Sequence, residues 1–263
     1  SVRRGDDCLR EILNALRNSG EWENTMVVFL SDHGMPLPFA KTQLYHHSTR
    51  TPLMIRIPGV TKAGSVDKRH MVSVLDLMPT ILEALGVEKP SRLDGRSFYP
   101  ALKGEKMRGW DYVIKQYHEN SGRSRDPMRA IQTKKYLYLF NPWSNGERIF
   151  ATATNGTATC RRMIALAQED EEMHKRLELY RYRVPEELYQ VNRDPDCLQN
   201  LIHYANHEKE KIRLQTLLEE WMIRTQDPIL ETFRNRNDPE FVEAYVKKLE
   251  AEAEERRKTQ KSK

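Results

Sequence analysis

Cysteine is scarce in this chain of 263 residues. Cys8, Cys160 and Cys197 are an odd number, and no two of them stand in a C-x-x-C spacing. That excludes a disulfide framework or a zinc knuckle as the organising device, and each thiol is expected to be buried or inert. No apolar run approaches the roughly 20 residues a membrane-crossing helix needs, so no membrane span is expected. No signal-peptide pattern stands at the N-terminus, which opens at Ser1 and reads as the middle of a domain. Most of the chain also lacks an excess of one charge. The net charge is +5, and residues 247–263 hold seven Lys/Arg against four Glu. The remainder is nearly neutral, which argues against a broad nucleic-acid footprint. No internal repeat is evident.

What the chain does have is enough apolar residues, 38%, for one large core or two small ones, beside a high 31% of charged residues. The organising stretch is Val27-Val28-Phe29-Leu30, followed by Ser31-Asp32-His33-Gly34. Four uninterrupted apolar residues read as a strand buried on both faces, as in a mainly parallel sheet. Ligands gather beyond the carboxyl ends of such strands. Asp32 and His33 are both metal-ligand types, and Gly34 lets the backbone turn sharply beside them. Asp and Gly are equally ordinary turn residues, so the four alone fit a plain strand-to-loop turn as well.

The next residues add to this. A loop containing Lys41 leads to Leu44-Tyr45, then His46-His47-Ser48-Thr49-Arg50-Thr51-Pro52, a second apolar run Leu53-Met54-Ile55, and Pro58-Gly59. In order and spacing this resembles the sulfatases of the alkaline phosphatase superfamily. The resemblance implies that Asp32 and His33 bind a divalent metal, that calcium is the expected ion with manganese or zinc as alternatives, and that Lys41 contacts the sulfate ester as a catalytic and substrate-binding residue. Adjacent strand residues point oppositely, so His46-His47 is not an obvious joint metal site. His46 is expected at the pocket edge and His47 in packing.

Residues 6–19 read as an amphipathic helix with Leu9, Ile12, Leu13 and Leu16 on one face, Asp6 or Asp7 as its cap and Gly20 as its end. Asp76-Leu77-Met78-Pro79-Thr80 and a short apolar helix ending at Gly86 also resemble the family. Asp76 is expected to cap that helix in a structural role. After residue 106 short strands are expected at 112–117, 128–133, 136–140 and 187–191, with Lys134-Lys135 as a hairpin turn. A helix over 207–224, with Leu214, Leu217, Leu218 and Trp221 on one face, would pack on that sheet. Residues 238–263 read as a solvated charged helix, and Asn155-Gly156-Thr157, a sequon by pattern, as a turn. The fold class implied is α/β: the C-terminal part of an alkaline-phosphatase-like sandwich (1–105), a small antiparallel sheet with a packed helix (106–235), and a charged helical tail (236–263).

Within the family the likeness is to the heparan N-sulfatases, through His118-Glu119, Pro127-Met128-Arg129, Glu187-Leu188-Tyr189 and Trp221 with Thr225-Gln226-Asp227-Pro228. It implies that His118, Glu119 and Arg129 face a sugar, together with Lys41 and His46. The expected substrate is a sulfate ester or sulfamate on a sugar of glycosaminoglycan type. A periplasmic or extracellular location is expected from the family. Sulfatases use a formylglycine made from Cys or Ser in a Cys/Ser-x-Pro-x-Arg context, and none of the three cysteines has it; Cys160 precedes Arg161-Arg162-Met163. The chain therefore reads as the C-terminal portion of such an enzyme, inactive by itself, with the formylglycine expected in a preceding portion. Two alternatives stay open. His33, where many sulfatases have Asn, suits a phosphonate or phosphodiester hydrolase of the same superfamily. A non-catalytic fragment binding sulfated glycans through Lys41 and Arg129 is the other.

Overall fold

The computed structural model describes residues 2–119 and 125–261. These divide into two compact units, residues 1–31 with 52–110, and residues 32–51 with 111–263.

In the first unit, α1 (Val2–Asn18) half-buries Leu9, Leu13 and Leu16 and leaves Ile12 exposed. It starts earlier than the sequence suggests, so Asp6 and Asp7 lie inside the helix and not at its cap. Gly20, in the left-handed region, follows its end. The strands β1 (Val27–Leu30) and β2 (Leu53–Arg56) pair antiparallel, Val27 opposite Arg56 and Leu30 opposite Leu53. The expected burial of β1 on both faces is not met: Phe29 is 37% and Leu30 39% exposed. A strand with one partner keeps a free edge and open faces; no parallel pair occurs among the described residues. Trp22 is stacked by Arg17 and by Arg56, whose guanidinium also donates to the Trp22 carbonyl.

Further along come α3 (Leu77–Ala84) and α4 (Tyr99–Leu102); α2 (His46–Thr49) lies in the second unit. Asp76 is structural, but by a different route from the one expected. Its carboxylate does not cap α3. It accepts from the backbone N–H of Ser73 at 2.7 Å and of Arg96 at 2.8 Å, tying two loops together. Gly95 sits so close that a Cβ would lie 2.0 Å from the Leu75 carbonyl oxygen.

The second unit is built on an antiparallel sheet in the order β3 (Tyr112–Glu119), β4 (Arg125–Thr133), β5 (Leu137–Phe140), β6 (Glu186–Tyr189). The Lys134-Lys135 turn is present, closed by the Thr133 hydroxyl, which accepts from the N–H groups of Lys135 and Tyr136. Alternation along the strands gives the sheet two dissimilar faces. Ile131, Tyr138, Phe140 and Leu188 meet Leu214, Leu218 and Met222 of α7 (Glu208–Thr225) and Phe233 of α8 (Leu230–Arg234). Each such buried side chain contributes roughly 1.5–3 kcal/mol. Met128, Ala130, Leu137, Leu139 and Tyr189 face the other way, onto Leu44, Tyr45, Trp143 and Phe150. Beyond these, α5 (Ala158–Leu166) and α6 (Glu171–Tyr182) pack through Cys160, Met163, Leu177 and Tyr180. Asn155-Gly156 is a turn, and Thr157 caps α5 by accepting from Cys160 N–H.

The C-terminal helix α9 (Pro239–Lys261) is not a solvated tail. Val246, Leu249 and Ala253 are buried at i, i+3, i+7, a stripe that the dense charge around it hides from composition. Arg125 pairs with Glu252, and Arg256 with Glu119, fastening α9 to the ends of β3 and β4. The last two residues of the expected helix lie outside the described residues.

Candidate active site

The segment 31–51 knots around Gly34. Its N–H donates to the Ser48 carbonyl at 3.1 Å. A Cβ on it would stand 2.2 Å from the His47 carbonyl oxygen and 2.3 Å from that of Ala40. Only glycine lets these backbones meet. One contact thus gathers three stretches that are apart in sequence: Asp32-His33, Ala40-Lys41 and His46-His47.

Asp32 and His33 are exposed and clasp each other. Asp32 Oδ1 accepts from the His33 backbone N–H at 3.0 Å, and Oδ2 lies 3.2 Å from His33 Nε2. His33 Nδ1 is 2.7 Å from the Gly34 carbonyl oxygen, an acceptor only, so Nδ1 carries the proton. In the neutral imidazole Nε2 then offers a lone pair toward a carboxylate oxygen. Two lone pairs 3.2 Å apart call for a cation between them, a proton or a metal. The separation suits two donors in one coordination sphere, given bonds of about 2.0–2.4 Å. The Nδ1–H to carbonyl bond is the outer contact that fixes a ligating histidine. Two donors are part of a sphere: among the described residues no third His, Cys, Asp or Glu joins them.

Lys41 is half-buried, and among the described residues its ammonium makes no hydrogen bond or ion pair. The backbone around it is held in rarely used conformations. Phe39 and Thr42 have φ of 63° and 54°, costly for side-chain-bearing residues and most of all for β-branched Thr. Each is clamped. The Phe39 ring lies under the Arg176 guanidinium at 3.5 Å and against Tyr45 and Tyr180. Thr42 Oγ1 bonds Thr152 Oγ1 at 2.7 Å.

After Lys41, Gln43 and Tyr45 enter a buried polar network that the sequence did not reveal. Glu187, wholly buried on β6, accepts from Tyr45 OH (2.6 Å), Tyr189 OH (2.5 Å), Asn141 Nδ2 (2.8 Å) and Arg183 Nη2 (2.9 Å). Arg183 also donates to Gln43 Oε1 at 3.1 Å. Burial, with the Glu187 charge beside them, pushes the Tyr45 and Tyr189 phenols well up, so both remain donors.

The sugar-facing residues expected on the sheet do not join this group. Arg129 is fully buried and forms a two-pronged ion pair with Asp227, at 2.6 and 3.2 Å. Strand alternation puts Arg129 with Ile131 on the α7 face, opposite Met128 and Ala130, which face Leu44 and Tyr45. Its guanidinium is committed within the core and is not offered to a ligand, so it leaves the candidate site. His118 is exposed, and the charge of Arg129 adds to desolvation in lowering its pKa. Glu119 is taken up by Arg125 and Arg256 at the strand end. His47 is exposed and bonds Asp196 at 2.9 Å, so it is not the packing residue expected; it shares a helical turn with His46, and the two rings meet edge-on with centroids 5.4 Å apart.

The α/β chain thus carries an exposed Asp–His pair and a clamped lysine after an apolar strand. Residues 1–87 match the sulfatase family model. The human N-sulphoglucosamine sulphohydrolase is 30% identical over 242 residues, spanning 87% of this chain and 47% of that protein. A solved 2-O glycosaminoglycan sulfatase superposes with a TM-score of 0.60 at 23% identity, over 82% of this chain and 40% of its own. The phosphonate monoester hydrolase of Silicibacter pomeroyi gives 0.58 at 20% identity, over 86% and 40%. Residues 1–87 thus carry sulfatase-family sequence, and the chain spans less than half the length of these relatives. Its homologues are sulfuric ester hydrolases, and the family uses a divalent metal.

Proposed function

We propose that this chain supplies one wall of a sulfatase active site acting on sulfate esters or sulfamates of sugars. Asp32 and His33 hold a divalent metal, Lys41 binds the sulfate, and His46 lines the pocket edge. The observation that carries this is the Asp32 Oδ2 to His33 Nε2 approach of 3.2 Å, with Nδ1 committed to the Gly34 carbonyl. When bound, the metal polarises the sulfate oxygens. Asp32 supplies the negative charge that retains a cation, and His33 a nitrogen lone pair of fixed direction. Lys41, carried on a backbone clamped on both sides, places an ammonium where the ester's charge grows and need not reorganise to do so. Calcium fits if the oxygen of Asp32 dominates and further oxygens complete the sphere; the imidazole suits manganese or zinc better.

The test is Mn2+ titration of the chain followed by NMR. Paramagnetic broadening should start at Asp32 and His33 and vanish in Asp32→Asn. Broadening centred elsewhere defeats the reading. His33 in place of the more usual Asn also favours a second reading, a phosphonate or phosphodiester hydrolase, and the phosphonate monoester hydrolase fold agrees with it. Side-by-side turnover of an aryl sulfate, N-sulfoglucosamine and a phosphonate monoester by an active form containing this chain separates the two.

A further inference from the structure

Lys115 is a buried lysine on β3, and among the described residues no carboxylate is bonded to it. Its ammonium donates to the Leu44 carbonyl at 3.2 Å and to Gln132 Oε1 at 2.5 Å. Lys115 pairs across the strands with Ala130, and Gln132 with Val113, so both project on the face that receives Leu44 and Tyr45, as diagonal neighbours. The amide of Gln132 continues outward, with Nε2 2.8 Å from His46 Nδ1. No local sequence motif marks this chain of contacts.

With Lys115 as an ammonium, the donor and acceptor inventory allows one arrangement. The ammonium only donates, and it gives a proton to each of the two oxygens that face it, the Leu44 carbonyl and Gln132 Oε1. Gln132 must therefore turn its oxygen to Lys115 and its NH2 to His46. An NH2 only donates, so His46 Nδ1 must be a bare acceptor. The imidazole is then held neutral with its proton on Nε2. We propose that Lys115 and Gln132 are positioning residues that fix His46 as an Nε2–H donor for an oxygen of the tetrahedral anion bound beside Lys41. Burial and the nearby Lys115 charge act in the same direction, lowering the His46 pKa to about 4. This inference rests on the anion site proposed above, but its first test does not use that site.

That test is the tautomer. In a 15N-labelled full chain, long-range proton–nitrogen spectra show which ring nitrogen of each histidine carries the proton, and His46→Gln assigns the signals. His46 should show a bare Nδ1 and a protonated Nε2 across neutral pH. In Gln132→Glu the carboxylate accepts from both neighbours, so Nδ1 should become protonated. A His46 that is Nδ1–H in the wild type, or that does not change in Gln132→Glu while the chain stays folded, overturns the relay whatever the function. The second measurement adds inorganic sulfate at constant ionic strength. The His46 Nε2–H signal should shift saturably, with at least tenfold weaker sulfate affinity in Gln132→Glu. A fixed tautomer with no sulfate-dependent shift overturns the donor role; a shift equalled by chloride does so too. Loss of Mn2+ binding at Asp32 and His33 with the tautomer intact would instead count against the sulfatase reading alone.

Discussion

Removing the Glu187 carboxylate should unfold or nearly unfold the second unit, and the network on the sheet sets the size of the effect. Glu187 and Arg183 are both inaccessible to solvent. In Glu187→Ala the guanidinium loses its counter-charge, which costs about 3–5 kcal/mol for a buried pair. The donors on Tyr45, Tyr189 and Asn141 lose their shared acceptor, at roughly 1–3 kcal/mol each where water does not reach them. Even with strong non-additivity the sum is at least about 5 kcal/mol, comparable with the whole stability of a typical domain. Glu187→Gln keeps the shape and one accepting oxygen, so it should cost about 3–5 kcal/mol, nearly all from the unpaired Arg183. Combining it with Arg183→Met removes the stranded charge, so the double variant should be more stable than the two single losses add to, by about 1–3 kcal/mol. Urea unfolding read by tryptophan fluorescence measures all four corners of the cycle, because Trp143 is buried in the cluster that includes Tyr45 and Tyr189. A Glu187→Gln variant within about 1 kcal/mol of wild type, with an unchanged urea slope, would refute the reasoning. The same network holds Gln43 and Tyr45, so its loss frees the chain between Lys41 and His46 as well.

Four further outcomes are expected. Gly34→Ala should destabilise by about 3 kcal/mol or more, because the new Cβ meets two backbone oxygens that cannot move aside; thermal unfolding checks this, and a neutral variant contradicts the knot at Gly34. Lys41→Ala should alter folding by no more than about 0.5 kcal/mol while lowering turnover of an active form about a hundredfold, as steady-state kinetics beside a melt would show. Lys115 has its pKa lowered by burial from 10.5 to about 7. The unfolded chain therefore binds the extra proton between those values, and stability rises with pH through that window by up to about 5 kcal/mol; the difference between wild type and Lys115→Met across pH 7–10.5 isolates it. Residues 1–263 alone should not hydrolyse an aryl sulfate or N-sulfoglucosamine, since no Cys or Ser lies in the formylglycine context; metal-dependent turnover lost in Asp32→Ala would contradict this.

Local pattern reached only the features whose cause is local. The four sheet strands, the Lys134-Lys135 turn and α7 follow from period and turn chemistry, and residues 27–34 nominate a candidate site because an apolar run ends in ligand-type residues. Arg129 shows where that reasoning stops. By type and motif it suited a sugar-facing cation, but strand parity puts it on the α7 face, and its partner Asp227 is 98 residues away. Parity within a strand is legible; which face a loop will cover is not. Glu187 makes the same point in reverse, since Tyr45, 142 residues away, is among the groups that explain a charge in the core. In α9 the buried positions 246, 249 and 253 are few among many charges, and only the face they meet marks them as core. Chemistry-bearing side chains here are fixed less by their own neighbours in sequence than by polar pairings across the sheet. A residue type in a motif therefore nominates a role, and the partner it finds decides whether it is free to perform it. Lys41 has found none among the described residues, and Arg129 has.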